Sequence, residues 1–319
     1  MLRLLALAAG IALLVWRIRA IGVEEVLSGF AAIGADGFAL VLGASLLRFA
    51  ARAGAWVALL GGGASFPRAL AATIAGDAAG NLTPLGVLVS EPTKAAYVTS
   101  AELRPSRALA ALAAENFFYS VSVALYVIVG AAAMLQIFDV QAPVRVLGMT
   151  ALGAMAAVLA GAGWLAWRQP SVLSALLGRL PVARARALVD RVREFEVTTY
   201  GSVGGHTGRL LRVLLLHAAF HALSFVEMWL TIWYLTGESL PGAALVLDGF
   251  GRIANILFKV IPLQIGVHQF GSEIVAMAIG LPREVGLTSS LVRTARVLVW
   301  AACGLALLGT RRSEGVRSP

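Results

Sequence analysis

Long apolar runs alternate with short polar segments along the chain. Five of these runs are long enough to cross a membrane as helices of about 20 residues, near 37–60, 108–136, 144–167, 210–236 and 288–309. A β-barrel would instead show alternating polarity over about ten residues. The pattern predicts an all-α polytopic membrane protein.

A sixth apolar run, from Met1 to Trp16, is short for a spanning helix. It fits either a first spanning helix or the apolar core of a cleaved signal peptide. Arg17 and Arg19 follow it where a small-residue cleavage site would be needed. We therefore expect a spanning helix, which brings the predicted number to about six.

Two further apolar stretches, 68–98 and 242–281, are interrupted by Gly, Pro and charged residues. We interpret each as a re-entrant hairpin of two half-helices. The order helix, hairpin, helix then occurs at 37–136 and again at 210–309, with one helix between the copies. A single intervening crossing inverts the second copy, and inverted repeats with broken helices are typical of transporters.

The composition agrees with a membrane protein forming a single transmembrane domain over residues 1–319. The chain is 59% hydrophobic and 13% charged, whereas soluble domains carry about 25% charged residues. The net charge of +9 could suggest nucleic acid, but the basic residues concentrate beside the apolar runs, so we expect no nucleic-acid partner. The single cysteine, Cys303, permits neither an intramolecular disulfide nor a cysteine zinc site. We predict no cofactor.

Arginine distribution predicts the orientation. The segment 168–212 carries eight arginines and should be a cytoplasmic connector, as either an amphipathic surface helix or a solvated loop. The arginines after residue 310 should be cytoplasmic too. An even number of crossings then separates these two cytoplasmic segments. The stretch 242–281 must therefore enter and leave the membrane from the outer side, and 68–98 must enter and leave from the inner side. Both termini are predicted to be cytoplasmic, although this leaves Arg17 and Arg19 outside, against the rule.

Polar residues within the interrupted stretches predict a polar cavity. Proline and glycine there free backbone groups that must face protein or water. Asp248, Arg252, Asn255 and Lys259 follow one another at helical spacing, as one stripe. Further charges lie within the spanning runs, which gives seven bases and six acids in all. The predicted substrate-binding residues are Arg48, Arg52, Asp77, Asn81, Glu91, Lys94, Asp248, Arg252, Asn255, Lys259, His268 and Glu273.

Two interpretations of these intramembrane charges stay open. They are either paired struts within a helix bundle, or the lining of a hydrated cavity that leaves one or two bases for an anionic headgroup. Glu91 and Lys94 lie three apart and can pair across one turn. Lys94 and Lys259 are the only lysines, and we expect both to be hydrated and to bind a headgroup.

His217 and His221 lie one turn apart and could share a metal with His268 or Glu227. Histidines hydrogen-bonded to neighbours are commoner at such spacing, so no metal site is predicted. The chain contains no Gly-rich phosphate loop, zinc-protease pair or nucleophile elbow. The sequence therefore gives little support for an enzyme.

Three motifs resemble a known family: Gly76-Asp77-Ala-Ala-Gly80-Asn81-Leu-Thr-Pro84, Ser90-Glu91-Pro92-Thr93-Lys94-Ala95 and Ile261-Pro262-Leu-Gln-Ile265-Gly266-Val267. They are similar to motifs of the flippase-like family that includes the transmembrane part of lysylphosphatidylglycerol synthases, over about residues 5–310. The resemblance implies a bacterial inner-membrane protein related to lipid translocation, with Glu91 and Lys94 at the family's Gly-Glu-Pro-x-Lys/Arg position. Ser90 replaces the usual Gly, and His268 stands where an acidic residue often follows.

The leading hypothesis is a lipid transporter or flippase that handles an anionic or polar headgroup in a midplane cavity. The first alternative is a non-transporting partner that presents lipid to a separate lipid-biosynthesis enzyme. An intramembrane lipid-modifying enzyme is the second alternative, and it rests only on Glu91, Asp248 and the histidines. The sequence ends soon after the last apolar run, so we expect no aminoacyl-transferase domain.

Overall fold

The computed structural model describes residues 23–83, 86–100, 103–168, 207–257, 264 and 266–317. Within these ranges the regular secondary structure is helical, which confirms the all-α prediction. The helices are α1 (Val23–Leu60), α2 (Phe66–Leu82), α3 (Gly86–Val98), α4 (Pro105–Ile137), α5 (Ala142–Arg168), α6 (Thr207–Thr236), α7 (Pro241–Leu257), α8 (Val267–Ala278) and α9 (Arg283–Arg317).

Five of the described helices are long and apolar enough to cross a membrane. The spans are Phe30–Leu60, Pro105–Ile137, Ala142–Arg168, Thr207–Thr236 and Arg283–Thr310. They coincide with the five long runs of the sequence, which confirms a polytopic membrane protein. The predicted first helix lies outside the described residues, as does most of the predicted connector.

Each interrupted stretch forms a pair of short helices, α2 with α3 and α7 with α8. Helix α2 ends at Leu82, and Thr83 is extended with φ −112° and ψ 141°. The following residue in the sequence is proline, which disfavours helical backbone at Thr83. Gly80 and Gly86 let α2 and α3 approach closely, because a Cβ on Gly86 would lie 2.6 Å from the Gly80 carbonyl oxygen. The first hairpin therefore breaks where the sequence predicts.

Helices α1 and α6 pack antiparallel along much of their length. Gly37 lies beside Tyr234, while Gly54 near the other end of α1 lies beside Leu216. Their long contact places the first and sixth described helices face to face. The charged residues on both helices are thereby brought together.

The remaining helix contacts come in matched pairs. Exchanging α1 with α6, α2 with α7, α3 with α8 and α4 with α9 converts each substantial contact into another, except the contact of α4 with α5. Thus α2 packs on α9, and α7 packs on α4. Two inverted copies would produce this pattern, although the repeat boundaries 37–136 and 210–309 stay a prediction.

Two buried apolar clusters hold the bundle, one around each hairpin. The first joins α1, α2, α3, α4 and α6 and includes Trp56, Leu103 and Phe118. The second joins α4, α6, α7 and α8 and includes Ile232 and Leu247. Large apolar side chains are exposed on the outer helix faces, as a lipid-facing surface requires. The bundle also contains a cavity whose lining includes many charged and polar side chains.

Candidate functional site

A cavity of about 430 Å³ opens between the two hairpins. Its walls come from α1, α2, α3, α4, α7 and α9, with single residues from α6 and α8. Nine of the predicted site residues line it: Arg48, Arg52, Asp77, Asn81, Glu91, Lys94, Arg252, Asn255 and His268. Residues scattered over more than 200 positions of sequence are thus brought to one space.

The three other predicted residues have different positions. Asp248 lines a small adjoining pocket of about 20 Å³. Glu273 is fully buried on α8 and lines neither space. Lys259 lies outside the described residues, so its predicted role stays a prediction.

Lys94 joins the two helices of the first hairpin. Its Nζ lies 2.9 Å from Asp77 Oδ1 and 3.1 Å from Glu91 Oε1, which confirms the pairing of Glu91 with Lys94. Its side chain passes over Gly76, where a Cβ would overlap it. Only 2% of Lys94 is exposed. The lysine is therefore a buried link between α2 and α3, which differs from the expected hydrated cation.

Arg52 and Glu115 form a two-point ion pair between α1 and α4. Arg52 Nε donates to Glu115 Oε1 at 2.9 Å, and Nη2 donates to Oε2 at 2.6 Å. The same Nη2 donates to Asn116 Oδ1 at 3.2 Å, and the guanidinium lies 4.3 Å from the centre of the Tyr119 ring. Such bidentate geometry is the strong form of the arginine–carboxylate pair.

A second network connects α6 with α7. Arg252 Nη2 lies 3.3 Å from Asp248 Oδ2 and also donates to Ser224 Oγ. Ser224 Oγ in turn donates to Asp248 Oδ1 at 3.0 Å. The four-residue spacing of Asp248 and Arg252 makes this pair visible in the sequence, whereas the bridging serine comes from another helix.

Glu227 of α6 serves two arginines at once. Its Oε2 accepts from Arg48 Nη1 at 2.7 Å and from Arg296 Nη1 at 3.1 Å. Arg296 also donates to Ser45 Oγ at 3.2 Å. This carboxylate therefore ties α1, α6 and α9 together beside the cavity.

Arg293 and Arg296 line the cavity but are missing from the predicted site. Their only sequence signal is two arginines three residues apart in an apolar run, without proline or glycine beside them. Arg293 Nη2 donates to Asn255 Oδ1 at 2.9 Å. Within the described ranges, no carboxylate lies within 4.0 Å of a nitrogen of Arg293.

His217 and His221, one turn apart on α6, have separate partners. His221 Nε2 lies 3.0 Å from Ser122 Oγ, and its ring stacks on Tyr126 with centroids 4.8 Å apart. His217 Nε2 lies 3.9 Å from Glu115 Oε1. In the described part of the chain, no three His, Cys, Asp or Glu side chains are grouped to hold a metal.

Fold and cavity define an α-helical polytopic membrane protein with a charged interior space. The chain belongs to the family described as the lysylphosphatidylglycerol synthase transmembrane region, whose model matches residues 3–304. The predicted resemblance is confirmed, and membership links the protein to lipid handling. Comparison with curated proteins and with solved structures gave no match.

Proposed function

We propose that the protein moves a membrane lipid with an anionic or polar headgroup between leaflets, with the headgroup held in the charged cavity. The observation that carries this proposal is the cavity itself, since six basic side chains converge on it inside a bundle of apolar helices. Charges in such a place are costly to insert, at about 2.5–3.5 kcal/mol each. A polar cargo gives them a purpose.

The size of the cavity suits a headgroup rather than a whole lipid. Ligand pockets commonly measure about 300–1,000 Å³, and this one has about 430 Å³. The apolar outer faces of the helices would keep the acyl chains in contact with bilayer. The simplest path consistent with a polar cavity and apolar outer faces takes the headgroup through the protein while the acyl chains stay in the bilayer.

The paired helix contacts suggest how the cavity changes access. Both hairpins line it, and each packs on the last long helix of the other predicted copy, α2 on α9 and α7 on α4. Rocking one copy against the other would open the cavity first on one side and then on the opposite side. The α1–α6 contact, between corresponding helices, is the natural axis of that motion.

Charge at the two ends of the bundle supports the proposed orientation. Gly61, just after α1, lies near the guanidinium groups of Arg107 and Arg209. At the same end, Arg68 lies in the first turn of α2, Arg104 precedes α4 and Arg212 lies in the second turn of α6. Asp139 and Glu238 lie in the connections at the opposite end. The positive-inside rule then places the arginine-rich end in the cytoplasm. We assign the protein to the bacterial inner membrane with both termini cytoplasmic.

Reconstitution tests the proposal. Purified protein in vesicles should accelerate the exchange between leaflets of at least one headgroup-labelled lipid, measured by quenching the label from outside. Arg145→Gln is the matched control, because this arginine is 62% exposed and does not line the cavity. No acceleration across anionic, zwitterionic and glycosyl lipids would refute transport.

Lipid extracts of deletion cells separate transport from the alternative of a biosynthetic partner. Normal amounts of a lipid on the wrong leaflet are expected for a transporter. A missing lipid product would instead support presentation to a separate enzyme.

A further inference from the structure

Four arginines line a small pocket formed by α1, α6, α7 and α9, and two carboxylates accompany them among the described residues. Arg48, Arg252, Arg293 and Arg296 line the small pocket beside the main cavity together with Glu227 and Asp248. Four positive and two negative side chains leave a local formal charge of +2. Glu227 accepts from two of the arginines and Asp248 accepts from a third. One unit of the excess is therefore shared by Arg48 and Arg296, and the other lies on Arg293.

Arg293 is also the most available of the four for a ligand. It is half-buried and lines the main cavity as well as the small pocket. A guanidinium has five N–H donors, and Arg293 uses one of them on the neutral Asn255 side chain. Asn255 in turn has its amide NH2 without a hydrogen bond to any described residue, and it faces the same cavity.

Donors exceed acceptors in the surrounding network too. The Nε atoms of Arg48, Arg252 and Arg296 are buried, and they have no hydrogen-bond partner among the described residues. The nearby carboxylates thus do not satisfy even the paired arginines. A negatively charged group that accepts hydrogen bonds would reduce both the excess positive charge and the number of donors without an acceptor. An additional cation would increase both.

We propose that Arg293 and Asn255 form a phosphate-binding site that holds the phosphodiester of the transported lipid. This inference rests on the proposed function and specifies its substrate class as phosphate-containing lipids. The planar guanidinium can donate two parallel hydrogen bonds to phosphate oxygens, and the Asn255 amide adds a third donor. Phosphate has the charge and the acceptor number that this corner of the cavity lacks.

Binding measurements in nanodiscs of uncharged lipid test the site directly. The probes are short-chain phosphatidylglycerol, a diacylglycerol with the same chains and no phosphate, and inorganic phosphate. Wild-type protein should bind the phosphatidylglycerol and not the diacylglycerol. Arg293→Gln should weaken that binding by about tenfold or more, since a hydrogen bond to a charged group contributes about 1.5–3 kcal/mol. Arg293→Lys should restore part of the binding, because lysine keeps the positive charge but lacks the two parallel N–H donors of the guanidinium.

Asn255→Asp provides a second variant that keeps the arginine. The new carboxylate would neutralise Arg293 in place, so phosphatidylglycerol binding should fall while the protein stays folded. Arg145→Gln is again the control and should bind like wild type. Equal binding by Arg293→Gln and wild type would overturn the site, as would equal binding of the diacylglycerol. Binding of inorganic phosphate alone would overturn its assignment to a lipid.

The two proposals fail in distinguishable ways. If wild type moves no lipid between leaflets but loses phosphatidylglycerol binding on Arg293→Gln, transport is refuted and the phosphate site stands. If Arg293→Gln moves phosphatidylglycerol as fast as wild type, the phosphate site is refuted and transport stands.

Discussion

Replacing Lys94 by methionine should destabilise the protein, because its ammonium group pairs with two carboxylates. Asp77 and Glu91 lie within 2.9 and 3.1 Å of its Nζ. Methionine fills a similar volume but leaves both acids without their cation. Removing one partner of a buried ion pair typically costs about 3–5 kcal/mol.

The exposure of the acids sets the magnitude within that range. The Asp77 and Glu91 side chains are 28% and 17% exposed, so the cavity partly solvates them and the low end, about 3 kcal/mol, applies. Stability changes of about 1 kcal/mol shift the melting temperature by about 2–4 °C in large domains. We expect Lys94→Met to melt roughly 6–12 °C below wild type.

Thermal melting in detergent, followed by loss of the monodisperse protein, is the assay. Lys94→Met combined with Asp77→Asn and Glu91→Gln should recover most of the lost stability, because the unpaired charges are then gone. Arg145→Gln, at an exposed surface pair, should melt like wild type. If Lys94→Met alone melts like wild type, Lys94 is not a structural link, and the hydrated, ligand-binding lysine expected from the sequence becomes the better account.

Three further predictions concern other parts of the structure. Glu115→Gln should lower stability by about 3 kcal/mol in the same melting assay, because Arg52, whose side chain is 13% exposed, loses its carboxylate; an unchanged melting temperature would contradict this. Gly304→Ala should destabilise by about 1–3 kcal/mol, since its Cβ would lie 2.6 Å from a backbone oxygen of α2, whereas Gly309→Ala, with open space around it, should not. Single cysteines at Ser65 and Ser239 in a cysteine-free background should label from opposite sides of the membrane. Labelling of both from one side would contradict the predicted inverted repeat.

Local sequence rules account for the helices and their interruptions. Five apolar runs of sufficient length became the five long helices, because the bilayer-length criterion depends only on consecutive residues. The break in the first hairpin follows from proline and glycine at its centre. The pairing of Glu91 with Lys94 likewise follows from a three-residue spacing on one helix.

Long-range ion pairs could not be assigned from the sequence. Arg48 and Glu227 are separated by 179 positions and Arg52 and Glu115 by 63. Any of the intramembrane bases could have met any of the acids, since hydropathy defines which residues are embedded and not which helices touch. Arg293 was missed for a related reason: it lies in an unbroken helix, and only the position of α9 beside the cavity, where Arg293 reaches Asn255 of α7, shows its role.

The near balance of acids and bases in the sequence conceals an uneven distribution in space. Seven intramembrane bases against six acids suggest a nearly neutral interior. In the structure, Lys94 contacts two carboxylates on the first hairpin, whereas four arginines share two carboxylates near the second. Because acids and bases are nearly equal in number, pairing offsets part of the cost of burying each charge. The local charge, which governs recognition of a ligand, is nevertheless positive on one side of the cavity. A cavity of this kind can be stable when empty and still attract a phosphate to its arginine-rich side.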